Sequence, residues 1–125
     1  FGLMEISFKL DLPPSCNEAY AVFRGRKILS KKARDWRNYA SWSIAHQAQS
    51  QRIDGKVSVE SEFIFPDLRK RDQSNYVKQL YDAITDSKII SDDSMIYEET
   101  NRKFIQKGVR CVTVKVRKME ESLTL

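Results

Sequence analysis

Apolar and polar residues alternate along residues 4–11: Met4, Ile6, Phe8 and Leu10 fall on one side, Glu5, Ser7, Lys9 and Asp11 on the other. A period of two predicts a half-buried strand. Pro13-Pro14 ends it, because neither proline can donate to a ladder. The alternation returns after an Asp54-Gly55 turn, with Val57, Val59, Phe63 and Phe65 set against Lys56, Ser58, Glu60 and Glu62, and stops at Pro66. Val112, Val114 and Val116 mark another strand. Residues 94–104 read as one more, joined to it by a hairpin turn at Lys107-Gly108.

Two stretches have the helical period instead. Ser30 is a natural N-cap for a helix running to about Gln51, with Ala33, Trp36, Ala40 and Ile44 on its inner face. Trp42 lies off that stripe. Val77, Leu80, Tyr81 and Ile84 follow the i, i+3, i+4, i+7 rule and make the buried stripe of a second helix, which Asp72 or Ser74 can cap. Asn75, Lys78 and Asp82 form a polar line on its opposite side. Residues 15–29 are left as a long connection, with Tyr20 and Phe23 as packing or base-stacking groups, packing being the commoner role. The order β-α-β-α-β-β predicts an α+β domain over residues 4–120: a small mixed sheet with both helices on one face. Phe1-Gly2-Leu3 reads as a cloning remnant ahead of a native start at Met4.

Charge sharpens this picture. The 125 residues carry a formal charge of +5, and the excess is gathered. Arg24, Arg26, Lys27, Lys31, Lys32, Arg34 and Arg37 form one cluster; Arg69, Lys70 and Arg71 form another. Such patches attract polyanions, nucleic acid first and an anionic membrane second. No apolar run approaches the roughly 20 residues of a spanning helix, which points to no membrane partner. Two cysteines, Cys16 and Cys111, lack redox or metal spacing and suit a reducing cytoplasm. A single histidine, His46, excludes chemistry that needs paired imidazoles.

The stretch from Arg69 to Asp93 concentrates the candidate chemistry. Basic residues stand before Asp72, the helix carries Lys78 and Asp82, and Asp92-Asp93 close the unit. Carboxylates near cations suit an oxygen-ligated divalent ion acting on a phosphate. The bland alternative is a solvated helix face with an i, i+4 pair between Lys78 and Asp82. Pro66-Asp67 with Asp86-Ser87-Lys88 superficially matches a PD…(D/E)xK nuclease pattern. That pattern needs its second half on a strand, whereas these residues terminate a helix.

Taken in order, Pro13-Pro14-Ser15 with Asn17 and Tyr20, Gly25-Arg26 with Ser30, Pro66-Asp67 leading to Asp72, Asn75, Lys78 and Asp82, and then Asp92-Asp93 carry a resemblance over nearly the whole chain. The sequence resembles the RusA family of Holliday junction resolvases. The resemblance implies a magnesium-dependent homodimer, with Mn²⁺ as a substitute metal, that nicks four-way DNA junctions in recombination and repair. Its home would be the bacterial cytoplasm, encoded by host or phage. It implies Asp72, Lys78 and Asp93 as catalytic residues and Asp72, Asp93, Asp92 and Ser74 as the metal shell, supported by Asn75 and Asp82. It implies DNA contacts from Asn17, Tyr20, Arg24, Arg26, Lys27, Lys31, Arg34, Arg69, Lys70 and Arg71. One position departs: Ser74 stands where family members often carry a second aspartate. Two alternatives stay open, a DNA-binding module of the same fold that has lost cleavage and a basic scaffold for an acidic protein.

Overall fold

Every second residue of Val57–Phe65 is buried and every intervening one is half-buried, the signature of a central strand with one face on a core. The structure, a computed structural model, describes residues 5–120. Phe1-Gly2-Leu3 and Met4 lie outside the described residues. Strands β1 (Glu5–Asp11), β2 (Tyr20–Phe23), β3 (Arg26–Leu29), β4 (Val57–Phe65), β5 (Ile96–Ile105) and β6 (Cys111–Lys118) alternate with helices α1 (Cys16–Ala19), α2 (Lys31–Gln47) and α3 (Ser74–Asp86). A short 3-10 turn, Asp93–Met95, precedes β5.

The main sheet has the order β1-β6-β4-β5. β6 runs antiparallel to both β1 and β4, whereas β4 and β5 are parallel. Parallel neighbours need a crossover, and α3 lies in the segment that supplies it. Ile6, Phe8 and Leu10 from β1, Val59, Phe63 and Phe65 from β4, and Val112, Val114 and Val116 from β6 share one core with Ala40 and Ile44 of α2 and Leu80, Ala83 and Ile84 of α3. Both long helices therefore cover the same face. Truncating the fully buried Phe63 to alanine would cost roughly 3–5 kcal/mol. The mixed sheet, the two long helices and their order agree with the sequence.

Three expectations are corrected. The connection over residues 15–29 is structured: Ser15 caps α1 by accepting the Glu18 N–H, and β2 and β3 form a separate two-stranded hairpin. Its residues 21–28 are all exposed, so no burial alternation marks them. Lys107-Gly108 does not close a hairpin, because β4 lies between β5 and β6 and the turn steps over its end. Gln106 N–H donates to Phe65 O there. Finally, α2 is capped by Ser30 as read, but ends at Gln47, where Gln49 and Ser50 turn to positive φ.

Candidate active site

The approach to α3 is shaped by Asp67. Its Oδ1 accepts the Arg69 N–H at 3.0 Å and the Arg71 guanidinium at 2.8 Å, and these partners, Arg71 first, hold its carboxyl below the usual carboxylate range. Arg71 also lies over the Phe65 ring at 4.9 Å, its side chain only 10 % exposed. Arg71 is thus turned inward, leaving Arg69 and Lys70 as the exposed cations of that patch. One step on, Asp72 Oδ1 accepts the backbone N–H of Ser74 at 3.1 Å. That bond satisfies an orphan donor of the first helical turn. It is the main reason the Asp72 carboxyl titrates low, with the Ser74 hydroxyl second.

The polar line of α3 opens onto a cleft of about 490 Å³ that holds Ser74, Lys78, Asp82 and Asp93, with Glu99 and Asn101 from β5. Lys78 Nζ lies 3.0 Å from Asp82 Oδ2. Asp82, and after it the Tyr20 phenol, raises the Lys78 pKa, so the amine is a fixed cation at neutral pH. Tyr20 in turn carries Lys27 over its ring at 4.6 Å, which ties the hairpin root to the polar line of α3. Tyr81 donates to Glu99 Oε1 at 3.1 Å, and Asn101 donates to the same oxygen at 3.1 Å. Burial pushes the Tyr81 phenol well up, so it stays a neutral donor.

Asp92 and Asp93 separate. Asp92 caps the 3-10 turn, accepting the Ser94 N–H at 3.2 Å, and contacts with Ser94 lower its pKa. Asp93 faces the cleft. Asp72 lines a different cavity of about 370 Å³ beside Asn17, Lys70, Asn75 and Tyr76. Ser74 is the joint, bonded to Asp72 while lining the Lys78 cleft. Asn75 lies with Asp72 and Asp82 with Lys78. Among the described residues no three His, Cys, Asp or Glu side chains gather as a metal cluster.

The donors around this turn, Asp72, Ser74, Asp92 and Asp93, are nonetheless all oxygen. That is the chemistry of a hard divalent ion, which is held by one or two carboxylates and keeps several waters. The donor chemistry suits such an ion, while the structure divides the donors: Ser74 and Asp93 line one cavity, Asp72 the other, and Asp92 is turned to the Ser94 N–H.

The remaining cations sort by partner. Arg24, Arg26 and Lys27 stand on the exposed hairpin, where Arg24 lies 5.2 Å over Phe23. Lys31 pairs with Asp35 at 2.9 Å and Arg34 donates to Leu29 O at 2.8 Å, both on the outer side of α2. Arg37 binds Asp86 and locks α2 to α3. Glu99, Asn101 and Lys103 do not stand out in the sequence; Lys103 Nζ donates to Arg71 O at 2.7 Å. Their spacing of two along β5 was the available signal.

A lysine–carboxylate cleft on a chain with exposed patches of cations suits an enzyme that cuts nucleic acid, and comparison with known proteins agrees: this is a DNA endonuclease. Residues 11–117 match the family model described as Endodeoxyribonuclease RusA, and the chain belongs to that family. It is 33% identical over 110 residues to the crossover junction endodeoxyribonuclease RusA of Aquifex aeolicus (strain VF5), covering 87% of this chain and 86% of that one. With the protein of the same name from Escherichia coli (strain K12) it shares 29% identity over 92 residues, 74% of this chain and 77% of the relative. The corresponding protein of Enterobacteria phage 82 is 29% identical over 89 residues, 71% and 74% of the two chains. No helix of the described residues is long and apolar enough to cross a membrane.

Proposed function

We propose that this protein resolves four-way DNA junctions by hydrolysing one phosphodiester in each of two symmetric strands, acting as a magnesium-dependent homodimer in the bacterial cytoplasm. The observation that carries the reading is the cleft in which the Lys78 cation and the Asp93 carboxylate face one space, with Asp72 joined to its rim through Ser74.

Asp72 and Asp93 would hold the ion, with Ser74 and Asp92 as the further oxygens of the proposed shell. When bound, Mg²⁺ or its substitute Mn²⁺ neutralises phosphate charge and makes a water more acidic. Lys78, held protonated by Asp82, supplies a point charge to the phosphate as negative charge grows on its oxygens. Tyr81 and Asn101 fix Glu99 as part of the cleft wall. Two copies related by a two-fold axis present two equal sites to a pseudo-symmetric junction.

The DNA backbone is held by the β2–β3 hairpin with Tyr20, Arg24, Arg26 and Lys27, by Lys31 and Arg34 of α2, by Asn17, and by Arg69 and Lys70. Phosphate contacts of this kind read shape more than sequence. Arg71 supports the loop that carries the last two.

The test is a synthetic four-way junction and a linear duplex of equal length, each with and without Mg²⁺. Metal-dependent paired nicks in the junction alone are expected, and no cleavage at any metal concentration overturns the reading. A second reading, a DNA-binding module without cleavage, is favoured by neutral Ser74 and the divided carboxylates. Retarded junction migration without nicking would establish it.

A further inference from the structure

The longest strand of the sheet is also its least covered. β5 runs ten residues with none buried, whereas the other edge strand, β1, alternates exposed and buried along its whole length. Tyr97, Phe104 and Ile105 are 60%, 44% and 43% exposed. A long edge carrying apolar side chains is a template for another strand unless something shields it. Among the described residues no strand pairs with the free side of β5. Because Gln106 N–H donates to Phe65 O, alternation turns the backbone N–H and C=O groups of Glu99, Asn101 and Lys103 away from β4.

The strand also carries its own complement. Its sequence, IYEETNRKFI, has two acids before the centre, two bases after it and apolar residues at both ends. We infer that β5 is the homodimer interface: a second copy adds its β5 antiparallel to this edge and joins two four-stranded sheets into one. The inference names the contact surface of the homodimer proposed above and rests on that part of the reading.

Two copies presenting the same sheet face have the dyad through a residue, since side chains alternate with a period of two. Centred on Thr100, Glu98 stands opposite Arg102 of the partner subunit and Ile96 opposite the partner's Phe104. Centred on Asn101, Glu99 meets the partner's Lys103 and Tyr97 the partner's Ile105. Either centre sets acid against base and apolar against apolar, which are the favourable cross-strand pairs. Charges that keep an edge solitary do so by repelling a copy; these cancel and oppose sign for sign. Glu99 and Asn101 also wall the Lys78 cleft, so the same contact sets the two clefts beside the dyad.

Charge reversal tests this without reference to cleavage. Wild type, Glu98→Lys/Glu99→Lys, Arg102→Glu/Lys103→Glu and the fourfold variant carrying all four changes are compared by light scattering and sedimentation, with circular dichroism as a check on folding. Wild type is expected at twice the chain mass. Each double variant should self-associate at least about tenfold more weakly, since like charges then oppose. An equimolar mixture of the two doubles, and the fourfold variant alone, should regain the dimer. Double variants that remain dimeric, or folded doubles whose mixture stays monomeric, overturn β5 as the interface. A monomeric wild type overturns the homodimer itself, whatever the cleavage assay shows.

Discussion

Lys78 Nζ and Asp82 Oδ2 lie 3.0 Å apart one turn along α3, and Asp82 is the more enclosed partner, 20% exposed against 57%. The pair keeps the lysine charged where it faces the cleft. A folded-state pKa above the ordinary 10.5 means that the pair favours the protonated fold below that value. The contribution is lost as pH rises through the raised pKa. Cleavage should therefore show no alkaline loss from Lys78 through the neutral and mildly basic range. Asp82→Asn removes the anchoring charge, so the alkaline limb of the pH–rate profile should move down while junction affinity holds. A limb that stays in place would mean that Asp82 does not set the charge of Lys78.

Asp72 accepts the Ser74 N–H and, on the function proposed above, also holds the metal; different substitutions separate the two. Asp72→Asn keeps an oxygen for the Ser74 N–H but loses the anionic ligand. It should abolish cleavage with wild-type Tm and junction binding equal or slightly tighter, because a negative charge near phosphate is gone. Asp72→Ala should lose both cleavage and the bond to the Ser74 N–H just after the Gln73 N-cap, with a lower Tm. Asp93→Asn should behave as Asp72→Asn does. Cutting at the wild-type rate by any of these removes that residue from the metal shell.

Much of this was legible in the chain because it depends on local period. β1, β4, β6, α2 with its Ser30 cap and the Lys78–Asp82 line follow from spacing alone. What the sequence concealed is non-local. Nothing near Lys107-Gly108 says that β4 will insert between β5 and β6. Nor does the spacing of Asp72 and Asp93 reveal that α3 sets them in separate cavities. The β2–β3 hairpin escaped for a different reason: with both faces exposed, it has no buried side to imprint a period. Arg71 looked like its neighbours Arg69 and Lys70, yet the Asp67 carboxylate draws it inward.

That distinction changes the salt experiment. Each phosphate neutralised by a cation steepens the decline of binding with salt by about 0.9 in the logarithmic slope. Arg69→Ala/Lys70→Ala should therefore flatten the slope by roughly 2 per protomer and leave Tm unchanged. Arg71→Ala, which breaks the Asp67 bond and uncovers Phe65, should instead lower Tm with little change of slope. A slope unmoved by the double substitution takes the exposed pair out of the DNA interface.

Ser74 bonds to Asp72 and lines the Asp93 cleft, so a carboxylate placed there stands between both. Ser74→Asp adds a hard anionic ligand, which should shift the Mg²⁺ titration of junction cleavage to lower concentration. The added charge repels phosphate when metal is scarce, but a bound ion offsets it locally. The carboxylate also suits the first turn of a helix, where the dipole is positive, so Tm should not fall. An unchanged half-saturation would place Ser74 outside the metal shell and leave Asp92 or water as the next ligand.

The hairpin tip sets stability against function. Arg24 and Gly25 both have positive φ, 52° and 74°, the geometry of a tight two-residue turn that favours Asn-Gly. An arginine there carries a left-handed penalty of about 1 kcal/mol that asparagine largely escapes. Strain retained in an exposed turn is explained if the side chain is needed: Arg24 lies over Phe23, which is 57% exposed beside Val22 at 79%. Arg24→Asn should relax the turn and raise Tm slightly, yet weaken junction binding more than the loss of one charge predicts, because the Phe23 ring loses its orienting cation as well. Junction affinity measured across a salt series separates the two parts: the slope should fall by about 0.9 per protomer, and a further loss should persist at high salt. Affinity equal to wild type at every salt concentration would detach the hairpin from the DNA.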